Sequence, residues 1–80
     1  MEVPQAVLDK AKGFIDKFGE GFNDLGLNHG KHVYQFVFPE RQRTGFPYIY
    51  LYDETSDEVE EVTGTRAIKI IHQCLRRSRR

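Results

Sequence analysis

Two stretches, HVYQFVF at residues 32–38 and FPYIYLY at residues 46–52, decide the fold. Each alternates with a period of two. Tyr34, Phe36 and Phe38 oppose Val33, Gln35 and Val37; Phe46, Tyr48, Tyr50 and Tyr52 oppose Pro47, Ile49 and Leu51. That is the repeat of a pleated strand, whose successive side chains leave opposite faces. The segment between them, from Pro39 to Gly45, is polar, carries turn residues at both ends, and fits a hairpin loop. Pro47 has no N–H to give a ladder and belongs at a strand end or an unpaired edge position.

Downstream, Asp53-Glu-Thr-Ser-Asp57 supplies the side-chain oxygens that close tight turns, and Glu58 to Val62 can return as a third strand. Val59 and Val62 are three apart and point to opposite faces, which suits a short edge strand or a bulge. Thr63-Gly-Thr65 offers hydroxyl caps to a helix from about Thr65 to Arg76, with Ala67, Ile68, Ile70, Ile71, Cys74 and Leu75 as its wide apolar side. Upstream, Val7, Leu8, Ala11, Phe14, Ile15, Phe18, Phe22 and Leu25 recur at helical spacing, with Pro4 in the first turn and Gly26 as a stop. Gly13, Gly19 and Gly21 inside that pattern each cost about 1 kcal/mol relative to alanine, so the helix is expected to fray or kink near Gly19.

The expected fold is therefore α+β, one small domain over residues 1–80: helix, three-stranded antiparallel meander, helix, packed as an αβββα two-layer sandwich. Residues 1–3 and 77–80 are expected to be flexible ends. Eighty residues are too few for two independent cores, so one interior must serve every element. Such a chain gains from disulfides, a metal or a partner subunit. Cys74 stands alone, so no intrachain disulfide forms, and paired Cys and His spacings of structural zinc sites are absent.

Both central strands are apolar on both sides, which leaves a surplus face if the two helices share one side of the sheet. Helices on opposite sides would bury both sets. An apolar patch left exposed marks an interface or a ligand groove. The leading expectation is a non-enzymatic protein-interaction module that forms a homodimer through Tyr34, Phe36, Phe38, Tyr48, Tyr50 and Tyr52, because twofold homodimers are the commonest oligomers. The alternative is a small nucleic-acid-binding protein that stacks bases on the aromatic strands and holds phosphates with Arg41, Arg43, Arg76 and Arg77. Against it stand a net charge of zero and the acidic segment that follows the second strand.

The twelve basic and twelve acidic residues are segregated along the chain. Asp53, Glu54, Asp57, Glu58, Glu60 and Glu61 place six of the acids within nine residues, whereas Arg76, Arg77, Arg79 and Arg80 make the C-terminal end basic. No phosphate-binding glycine loop or nucleophile elbow is present, and the clustered carboxylates sit in a hydrophilic turn that tunes no pair apart in pKa. His29 and His32 form a lone His-x-x-His, and His72 and Cys74 diverge on their helix, so neither a metal nor a cofactor is expected. Cys74 falls on the apolar side of its helix and is expected to be buried and inert. The N-terminal residues lack the basic-then-apolar order of a signal peptide, and no apolar run approaches the ~20 residues of a membrane span, so a cytoplasmic location is expected.

Overall fold

The computed structural model describes residues 3–39 and 45–78. The elements follow as α1 (Gln5–Lys10), α2 (Lys12–Phe18), β1 (Phe22–Asn28), β2 (Lys31–Phe36), β3 (Tyr48–Asp53), β4 (Glu58–Thr63) and α3 (Thr65–Ser78). The strands form one antiparallel meander in the order β1-β2-β3-β4. The class is α+β, with four strands where three were expected.

The additional strand is β1, which takes residues that match the helical pattern. The chain leaves the helix at Gly19, whose φ of 90° is open to glycine at little cost. Gly21 then meets β2, its carbonyl accepting the N–H of Val37 at 2.9 Å. Phe22 and Leu25 fit either structure, because residues three apart share a helix side but take opposite strand faces. Here Phe22 packs among the aromatic residues and Leu25 among the aliphatic ones. A register shift between Asp24 and Gly26 marks a β-bulge. α1 and α2 nearly continue one another through Ala11, which accepts the N–H of Ile15 and donates its own to Val7, both at 3.0 Å.

The two-layer expectation is corrected to three layers. α1 and α2 cover one sheet face, where Val7, Ala11, Phe22, Tyr34, Phe36 and Tyr50 are buried; α3 covers the other, over Val33, Ile49, Leu51, Val62, Ala67 and Cys74. Two half-cores therefore share one sheet in eighty residues. The cause lies in the strands, whose two apolar faces each stabilise the fold only if removed from water, at roughly 25 cal/mol per Å². The chain ends place the covers: Gly19 turns the chain from α2 into β1, and Gly64, at φ 80°, turns it from β4 into α3 on the opposite side.

The remaining elements follow their expected logic. β4 is an edge strand, with Val59 packed on the aromatic side and Val62 on the aliphatic side. Pro47 sits just before β3, where its carbonyl accepts the Thr63 hydroxyl at 2.9 Å. β1 and β2 join through His29 and Gly30, at φ 54° and 80°, the two positive values of the two-residue turn that matches strand twist. α3 runs on to Ser78, two residues beyond the expected end.

Candidate functional site

All six aromatic residues expected at a dimer interface lie on the sheet face that α1 and α2 pack against. Tyr34, Phe36 and Tyr50 are buried; Phe38, Tyr48 and Tyr52 are half-buried. Phe14 of α2 packs its ring 5.4 Å from Phe36, 5.1 Å from Phe38 and 4.8 Å from Tyr48. Edge-to-face contacts such as those to Phe38 and Tyr48 favour the arrangement beyond the area that they bury. The surplus face that motivated the interface is thus filled from within. The same covering removes the base-stacking platform of the nucleic-acid alternative. Arg41 and Arg43 lie outside the described residues, Arg76 is exposed on α3, and Arg77 belongs to the helix's last turn.

At the end of the aromatic face toward the β1–β2 turn lies a polar cluster. His32 stacks on Tyr34 with centroids 4.5 Å apart and planes 7° from parallel, and its Nε2 meets Asp24 Oδ1 at 2.5 Å. The bulge aims Asp24, whose Oδ1 also accepts the N–H of Gly26 at 2.9 Å. Desolvation pulls the Asp24 carboxyl upward, but the Gly26 N–H and His32 outweigh it and hold the group below its ordinary value. Opposite His32 in the register stands Tyr52, whose hydroxyl donates to Asp57 at 2.6 Å. That bond, with a smaller contribution from desolvation, pushes the tyrosine up to about 12. Tyr50 donates to Glu61 at 2.7 Å, and burial followed by that bond raises its pKa far above the ordinary value. Each of these phenols therefore stays protonated as a donor. The cluster orients a histidine and places no nucleophilic hydroxyl or thiol in hydrogen-bond reach of it among the described contacts.

Charge gives the surface its sharpest division. The β3–β4 hairpin closes with the Asp57 N–H on the Asp53 carbonyl at 2.7 Å and the Thr55 N–H on Asp53 Oδ1 at 3.0 Å. It exposes Glu54, Asp57, Glu58, Glu60 and Glu61. α3 contains no carboxylate and exposes Arg66, Lys69, His72 and Arg76 on its outer side. Among the described residues one ion pair joins the two regions: Arg66 donates to Glu60 at 2.7 Å, a bond that lowers the Glu60 pKa and raises that of Arg66. Lys69 and Arg76 make no ion pair within the described residues.

The chain matches no protein-family model, no curated protein and no solved structure.

Among the described residues no group of three His, Cys, Asp or Glu side chains is placed to hold a metal ion. His29 belongs to the β1–β2 turn, whereas His32 points to Asp24, so the His-x-x-His does not converge on a common point. Cys74 is buried on the α3 side with Ile70 and Ile71 packed against its cluster, as its position on the helix predicts. No helix of the described residues is long and apolar enough to cross a membrane. The Asp24 and His32 pair went unseen in the sequence. The available signal was Asp-Leu-Gly at residues 24–26, a bulge pattern hidden inside an apparent helix.

Proposed function

We propose that this domain is a non-enzymatic protein-interaction module that pairs with a second copy of itself. Its contact runs between the basic outer side of α3 and the acidic β3–β4 hairpin of the other copy. The observation that carries this reading is the segregation of exposed charge, with Lys69, His72 and Arg76 on a helix free of carboxylates and Glu54, Asp57 and Glu58 at the hairpin. Complementary patches steer encounter and fix register, and a twofold arrangement satisfies both contacts at once. The single cysteine, held as a thiol in a buried position, goes with a cytoplasmic setting.

Light scattering across micromolar to millimolar protein tests the reading. The expected result is a dimer mass at low salt that falls to the monomer mass near 1 M salt, where the screening length is about 3 Å. A monomer mass at every concentration in low salt would refute it. Lys69→Glu with Arg76→Glu, and separately Glu54→Lys with Asp57→Lys, should each give monomers. Mixing these two variants should restore a dimer, because both contacts regain opposite signs.

The carboxylate-free side of α3 favours a second reading, contact with nucleic-acid phosphates. Retention on immobilised nucleic acid that falls linearly on logarithmic axes with salt, and that Lys69→Glu weakens, would favour it over self-association.

A further inference from the structure

Between the β1–β2 turn and the last turns of α3 lies a shallow pocket of about 290 Å³ lined by Asn28, His29, Gln73 and Arg76. None of the four lining residues is acidic, and three of them can direct N–H groups into it. Asn28 is the one polar residue buried among the described residues. Its Nδ2 donates to Gln73 Oε1 at 3.1 Å, tying the turn to the helix. With Oε1 committed as an acceptor, Gln73 has both Nε2 hydrogens left to donate. Arg76 follows three residues later on the same side of the helix. His29 supplies the third group from the turn itself, at φ 54°, where glycine or asparagine is the cheaper occupant.

We infer that this pocket binds an oxyanion, a phosphate or a carboxylate, held by the Arg76 guanidinium, the Gln73 amide and the His29 imidazole. Guanidinium pairs with both anions through parallel N–H bonds, and a neutral amide donor adds direction without competing charge. The negative end of the α3 dipole opposes an anion here, so the Arg76 charge supplies most of the attraction. The site shares Arg76 with the proposed pairing surface, but Lys69, the other cation of that contact, is not among its lining residues, so Lys69→Glu distinguishes failure of the pairing from failure of the site.

Backbone amide shifts followed by NMR, with inorganic phosphate exchanged for chloride at constant ionic strength, read the site directly. The expected result is saturable shifts centred on residues 28–30, 73 and 76. Binding should be lost in Gln73→Glu, reduced at least tenfold in Arg76→Gln, and unchanged in Lys69→Glu. His29→Gly separates a turn residue from a ligand residue, because it relieves the positive φ and removes the imidazole together. It should raise the melting temperature and still weaken phosphate binding several-fold. A second titration with a peptide of residues 53–61 distinguishes the source of the anion. Tighter binding than phosphate at the same amides assigns the pocket to a carboxylate of another copy's hairpin, and weaker binding assigns it to a free anion. Absence of saturable shifts with both ligands, or shifts unchanged in Arg76→Gln, would overturn the inference.

Discussion

The two faces of the sheet solve one problem by different means. The aromatic face is closed by two short helices meeting at Ala11, and its rings pack edge to face at several angles. The aliphatic face is closed by the single fourteen-residue helix α3, seated through the small residues Ala67 and Cys74. Rings fill irregular space and carry polar tips, so the aromatic side also accommodates the hydroxyl-to-carboxylate bonds of Tyr50 and Tyr52. The aliphatic side gains closeness instead. A jointed cover tolerates adjustment, and a continuous helix on small residues does not.

The largest expected effect tests the aromatic side. Tyr50 is fully buried, so Tyr50→Ala should cost about 3–5 kcal/mol in denaturant-unfolding free energy. Tyr50→Phe keeps the ring and loses only the bond to Glu61, which is exposed, so a loss of roughly 1 kcal/mol is expected. A Tyr50→Phe protein as weakened as Tyr50→Ala would mean that the hydroxyl, not the ring, closes that face.

One substitution made on both sides sharpens the contrast. Ala67 and Ala11 are both buried, and leucine at Ala67 should cost about 1–3 kcal/mol because α3 has no joint through which to yield. Ala11→Leu should cost less, since the interruption between α1 and α2 lies at that residue. Equal costs would remove the distinction between a jointed and a continuous cover. The same α3 seam shields Cys74, so a thiol reagent should react far more slowly in native buffer than in denaturant.

The smallest effect concerns the bulged end of the aromatic face. The folded Asp24 carboxyl sits below its ordinary value of 3.8, so the stability it contributes is present above that pH and is lost as pH falls through the lower folded value. Its side chain is partly exposed, which limits the contribution to less than about 1 kcal/mol. Asp24→Asn should flatten the pH dependence of unfolding below about pH 4. An unchanged acid limb would place that dependence on other carboxylates.

The alternation in residues 32–38 and 46–52 made both central strands legible, and the paired spacing of Val59 and Val62 placed an edge strand correctly. β1 was hidden because Phe22 and Leu25 satisfy helical and strand spacing alike; glycine φ values and pairing with β2 decide between them, and neither is visible locally. The two-sided apolar character was visible, but its cover was not, since nothing in the strands states which face a distant helix will take. The acidic segment was legible, but the basic side of α3 with Arg66 and Lys69 was not, because the sequence concentrates attention on the arginines that end the chain, of which only Arg76 has a described side chain. The pocket at Asn28 and Gln73 was not, because it joins residues forty-five apart that meet only through the completed meander.

The free edges of the sheet are closed to further strands in different ways. β1 has a broken register, with the Gly26 N–H turned to Asp24, and β4 carries Glu58, Glu60 and Glu61 along its length. Strand addition from another molecule would meet a kink on one side and a row of carboxylates on the other. The two aromatic strand segments, apolar and free of acidic or basic residues apart from His32, are the stretches most prone to stack between chains once released. Folding places most of these residues under the two helical covers, with Val37 and Phe46 left exposed. Variants that loosen either helical cover should therefore reveal their instability as precipitation on heating before any soluble unfolded chain accumulates.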